Sequence, residues 1–176
     1  MSANPYAPPQ AAVADIDDGT DEVQPVQTWS SQGRIGRLRY LAHLTGSNLI
    51  VTLLSMALTA GLVAVGLPMV GVVAGWVLLI AFFVFVILKT IQRSHDMGWS
   101  GWTCLIALIP LVGLIWVFKG GTSGRNAYGA PPPPNTLGVK ILALMLPVIA
   151  ILGILAAIAL PAYQGYVKRA QQVQTR

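Results

Sequence analysis

Of the 176 residues, 55% are hydrophobic and only 10% charged, against about 25% charged in an ordinary soluble domain, and the mean hydropathy is +0.66. A soluble globular protein is excluded, and an all-α polytopic membrane protein is indicated. The net charge of +5 does not point to nucleic acid, because the eleven Lys and Arg are scattered at the ends of apolar runs rather than along a stripe interleaved with aromatics.

Residues 1–32 are rich in Pro, Ala and Gln and contain five of the six carboxylates, Asp15, Asp17, Asp18, Asp21 and Glu22. With almost no large apolar partner they cannot offset their ordering entropy, so a disordered, solvated tail is expected. Its charge also suits it to a basic partner or to the chain's own arginines. The first apolar run starts far from the N-terminus, without the basic region and cleavage site of a secretory signal, so no cleaved leader is expected. Residues 33–44 (GRIGRLRYLAHL) set Arg34, Arg37 and Arg39 beside Ile35, Leu38, Tyr40 and Leu41. That pattern predicts a short interfacial helix on an anionic membrane surface, or the charged flank of the first span.

Residues 49–65 carry no charge and form the first predicted span. Gly66, Leu67 and Pro68 signal a turn, and residues 68–88 form the second span, in which Gly71 and Gly75 allow close helix approach. The helix is expected to run on to Met97, because Lys89, Arg93 and Asp96 then share one face. Gly98 fits the end of that helix and Ser100 the start of the next. Trp99 and Trp102 suit the headgroup belt as interface anchors. Residues 102–118 are apolar but would reach only about 25 Å as a helix. They form a fourth, short span counted with the others, or a re-entrant loop broken at Pro110 and Gly113, and four spans are expected because no polar group marks such a loop. Residues 119–135 read as a loop ending in the stiff run Pro131 to Pro134. A last apolar helix over 136–160 contains Pro147 and presents the small residues Gly153 and Ala157, and a short basic tail follows Pro161. The organisation expected is a tail (1–32), a three-helix membrane domain (33–130), a Pro-rich linker (131–138) and a terminal membrane helix with its tail (139–176).

The scarce polar groups concentrate in one place: Arg93, His95, Asp96 and Ser100. An ionisable group near membrane depth is expensive and could serve a proton or ion relay. The alternative, which is preferred, is an Arg93–Asp96 pair that orients a turn. No GxSxG, HExxH or paired carboxylates occur, and residues 120–124 (GGTSG) lack the Lys-Ser/Thr of a phosphate loop. Cys104 stands alone and His43 and His95 make a poor metal set, so no catalytic residue, cofactor or metal is expected.

Four motifs in order, GRIGRLRY at 33–40, RSHDMGWSGW at 93–102, IPLVG at 109–113 and GTSGRNAYG at 121–129, together resemble a bacterial inner-membrane family known as the domain of unknown function 805. The resemblance covers about residues 32–132, departs from the family pattern at Arg125, Ala127 and Ala130, and implies architecture rather than chemistry. Residues 146–166 (LPVIAILGILAAIALPAYQGY) separately resemble the N-terminal helix of type IV pilins. Val139 and Lys140 stand where the pilin leader is cut and Leu144 where a glutamate follows, so processing is not expected. The combination implies a non-enzymatic accessory whose last helix packs against pilins or the pilus assembly apparatus. The alternative is a small transporter or channel component using Arg93, His95 and Asp96. With four spans both termini are cytoplasmic; with a re-entrant third segment the C-terminus is periplasmic.

Overall fold

The computed structural model of the chain describes residues 23–174. Its elements are α1 (Arg37–Ala64), α2 (Pro68–Asp96), a 3-10 helix (Gly101–Leu108), α3 (Leu114–Phe118) and α4 (Leu137–Gln174). The described residues hold no strand beyond an isolated bridge between Asn126 and Gly129. Three helices, α1, α2 and α4, are long and apolar enough to cross a membrane, rather than the four expected.

The short interfacial helix does not exist as a separate element, because α1 runs unbroken from Arg37 through it into the first span. Nothing between the two stops the backbone: the Ser47 hydroxyl donates back to the His43 carbonyl at 2.6 Å, and Gly46 makes room for Leu142 of α4. A tight turn then joins α1 to α2. Gly66 takes φ +78°, the Leu67 amide returns to the Leu62 carbonyl at 2.8 Å, and Pro68 opens α2 where its missing N–H costs nothing. A Cβ at Gly71 would lie 3.6 Å from Thr59 and Leu62, so this glycine is where α2 lies against α1. A Cβ at Gly75 would meet nothing, and that position is not used within the fold.

The fourth span fails at the third segment, which breaks into the 3-10 helix, a turn and α3. Eight residues at about 2.0 Å each reach roughly 16 Å, half of a hydrocarbon core of about 30 Å. Pro110 has no N–H, Leu111 turns the chain with φ +68°, and a Cβ at Gly113 would press within 2.6 Å of the Ala107 carbonyl. The turn needs no polar side chain, because the Ile109, Gly113 and Leu114 amides bond to carbonyls at 106, 109 and 111. The fold-back is therefore closed by its own local backbone hydrogen bonds.

Helix α4 continues past both Pro147 and Pro161 to Gln174, so the basic tail is largely helical. Arg39 donates to the carbonyls of Pro133 and Pro134, Ala143 packs on Leu41 and Ala42, and Leu142 approaches Gly46. Thus α4 starts beside the start of α1 and runs in the same direction. Beyond Ala143 it is exposed almost throughout.

The buried groups gather at the end of the molecule where α1 starts and α2 finishes. Ile35, Tyr40, Met97 and Trp116 form its apolar centre, while the middle and far parts of α1 and α2 expose Leu53, Val72 and Ile80, as lipid-facing helices do. The tail expected over 1–32 falls in part outside the described residues, which begin at Val23. Residues 23–32 form an extended strap across the end of α2, held by hydrogen bonds that local composition does not reveal.

A buried charge knot as candidate functional site

Because α2 persists to Asp96, Lys89, Arg93 and Asp96 point to one side, and all three are buried. The Arg93 Nη1 donates to Asp96 Oδ2 at 2.5 Å. The other carboxylate oxygen, Oδ1, accepts from Arg34 Nη2 at 3.2 Å. One carboxylate thus lies between two guanidinium groups, and backbone carbonyl dipoles balance the excess charge. Arg34 donates to the carbonyls of Thr122 at 2.7 Å, Gly124 at 2.7 Å and Gly129 at 3.0 Å. Arg93 donates through Nε to the Trp116 carbonyl at 2.9 Å and through Nη2 to that of Lys119.

These bonds also answer a local need. A helix of five residues leaves its last carbonyls open, and those of α3 and its cap are taken up by Arg93 and by Arg37, which donates to Phe118 at 3.4 Å. The loop beyond α3 closes over Asp96 from outside: Thr122 donates its amide to the Asp96 carbonyl at 2.8 Å, and Asn126 Nδ2 donates to the His95 carbonyl at 2.9 Å. Any side chain at Gly121 would overlap the Asp96 carboxylate.

One turn earlier on α2, a second layer fixes the strap. Lys89 Nζ donates to the Gln27 carbonyl at 2.7 Å and to Gln92 Oε1 at 2.9 Å. The Gln92 amide in turn reaches the carbonyls of Gln27, Ser30 and Gln32 within 2.9 Å. Trp29 lies edge-on to Phe85 at 5.2 Å.

Of the residues singled out in the sequence, Arg93 and Asp96 meet directly, and Arg34 joins them from 62 positions away. His95 is adjacent but faces elsewhere, with Nδ1 3.3 Å from the Gly33 carbonyl and its ring stacked on Tyr128 at 3.9 Å. Ser100 is exposed and contributes no side-chain bond to the knot; its carbonyl accepts from Thr103. His95, Ser100, Trp102 and Tyr128 instead line a cleft of about 480 Å³. Trp99 lies against Trp116 at 5.5 Å, and Trp102 is 80% exposed. The reading of Arg34 and Arg39 as membrane-surface cations is corrected: both are buried, because the loop after α3 and the proline run supply them with carbonyls. Arg37 alone of the three is exposed. Lys89 lies on the Arg93 face as its spacing predicts, whereas Gly121, Thr122, Asn126 and Gln92 are not singled out by the sequence, although the first three lie in the quoted 121–129 motif.

The arrangement can fasten three segments of chain to one another. Both oxygens of Asp96 are bonded to arginines, and the described residues contain no cluster of three metal-ligating side chains.

No curated protein and no solved structure matches the chain. Residues 28–130 match the family DUF805, described as a protein of unknown function. The match covers more than half of the chain and takes in every residue of the knot, from Arg34 to Gly129, together with the folded-back third segment. The chain therefore belongs to the DUF805 family.

Proposed function

We propose that this is a non-enzymatic, multi-pass protein of the bacterial inner membrane, in which the charge knot holds α1, α2 and the third segment as a base and α4 packs laterally against other membrane helices. The observation that carries this reading is the exposure of α4 beyond Ala143. Most of its apolar residues beyond Ala143, among them Ile149, Ile154 and Ile158, are more than half exposed, and a Cβ at Gly153 meets no neighbour. Gly153 and Ala157, four apart, form the kind of small-residue surface that lets another helix approach. The resemblance of residues 146–166 to a pilin helix makes pilins or the pilus assembly apparatus the proposed partners. A photocrosslinking residue at Gly153 should then yield adducts to a pilin-type helix in cells, and removing residues 139–176 should abolish any pilus-linked behaviour that Asp96→Asn leaves intact. Adducts to lipid alone would overturn the reading. Loss of a solute flux on Asp96→Asn would replace it with the transporter alternative, in which Arg93, His95 and Asp96 form the path.

A further inference from the structure

Between its two arms the folded-back third segment encloses a groove of about 490 Å³, within the roughly 300–1,000 Å³ typical of small-ligand sites. Ile106, Val112, Ile115 and the indoles of Trp99 and Trp116 form its walls. The hydroxyl of Thr103, one of its few polar groups, is already spent on the Ser100 carbonyl at 2.7 Å. At the Trp99 wall stands a cation: Lys119 Nζ lies 4.9 Å from the centre of that ring. Arg37, exposed, reaches the neighbouring Phe118 carbonyl. Asp96, the sole carboxylate among the described residues, is bonded to Arg34 and Arg93 instead. The groove therefore joins an apolar trough to positive charge that meets no carboxylate among the described residues.

Its setting identifies the occupant. The tip of the segment exposes Leu108, Ile109 and Leu111, side chains that belong in hydrocarbon, whereas Lys119 and Arg37 belong to the polar end. A ligand filling the groove has its apolar part toward the bilayer interior and its anion at the surface. We propose that the groove binds an acyl chain of an anionic phospholipid, whose headgroup charge is met by Lys119. A cation near an anionic headgroup supplies attraction, and the Trp99 ring holds the Lys119 ammonium in place by a cation–π contact. The proposal concerns the third segment alone and is independent of any partner of α4.

The test uses the full chain in vesicles, with Trp29→Phe, Trp76→Phe and Trp102→Phe so that emission comes from Trp99 and Trp116. The vesicles carry brominated-chain phosphatidylglycerol or brominated-chain phosphatidylcholine in trace amounts. Brominated phosphatidylglycerol should quench at a concentration about five-fold lower than brominated phosphatidylcholine, the preference expected from one surface cation. Lys119→Ala should remove that preference and leave quenching by the choline lipid in place, and Lys119→Arg should restore it. The Lys119 carbonyl that Arg93 uses survives these changes, so the knot remains. Thr103→Phe, which fills the groove, should weaken quenching by both lipids. Equal quenching by the two lipids in the unsubstituted site, or a preference that survives Lys119→Ala, would overturn the proposal. So would a preference that emerges only after residues 1–22 are removed, because the acidic tail would then be the occupant.

Discussion

At the scale of single residues, Asp96 is where the most free energy is at stake. A surface ion pair contributes little, but Asp96 and its two arginines have side chains that are 0–4% exposed. Removing one member of such a set leaves an uncompensated buried charge, which costs about 3–5 kcal/mol. Asp96→Ala is therefore expected to destabilise the protein by that amount in an unfolding titration in detergent. Arg93→Ala combined with it should cost less than the sum, because both changes break the same contact; additive losses would show that the contact contributes nothing. Gly121→Ala offers an independent check. The added methyl must displace the Asp96 carboxylate, so a loss of about 1–3 kcal/mol is expected from overpacking. In the Asp96→Ala background, where the carboxylate is gone, most of that loss should vanish.

At the scale of elements, the parts legible in the sequence were those that follow local rules. The reach of α2 to Asp96 and the shared face of Lys89, Arg93 and Asp96 follow from a period of 3.6 residues, and Gly98, at φ +75°, ends the helix as its residue type suggests. The strap and Arg34 could not be read in this way. Their order comes from hydrogen bonds across about 60 residues of sequence, and polar residues without periodicity look like a tail when read alone. The third segment failed for a different reason: an apolar run has the same composition whether it crosses the membrane or folds back, and only its backbone hydrogen bonds decide. The strap supplies a prediction at this scale. A chain shortened to begin at Gly33 loses the carbonyls that Lys89 and Gln92 use, and each buried donor left open costs about 1–3 kcal/mol. Its thermal midpoint in detergent should fall well below that of a chain beginning at Val23. Equal midpoints would mean that the strap carries no stability.

At the scale of the whole molecule, the three helices long enough to cross and the folded-back segment together set an expected topology. Arg34, Arg37, Arg39, Lys89, Arg93, Lys119, Arg125 and Lys140 fall on the side of the knot, and Lys168 and Arg169 on the last turns of α4. By the positive-inside bias, the excess of cations leads to the expectation that the knot faces the cytoplasm. Four spans would also give an uneven division with both termini inside, so charge alone does not separate the two arrangements. The direction of α4 supplies a further expectation. It leaves the knot beside the start of α1, and its 38 residues reach about 57 Å, nearly twice the hydrocarbon thickness. Its last turns, with Tyr163, Tyr166 and the basic residues that follow, are then expected on the opposite face. A reporter active only in the periplasm is expected to be active when fused after Arg176 and silent when inserted among residues 119–135. A probe confined to the periplasm should label a cysteine at Leu67, in the turn between α1 and α2, but not one at Ser123. Silence after Arg176 would require the third segment to cross the bilayer after all, with the hydrogen bonds of its turn broken or rearranged.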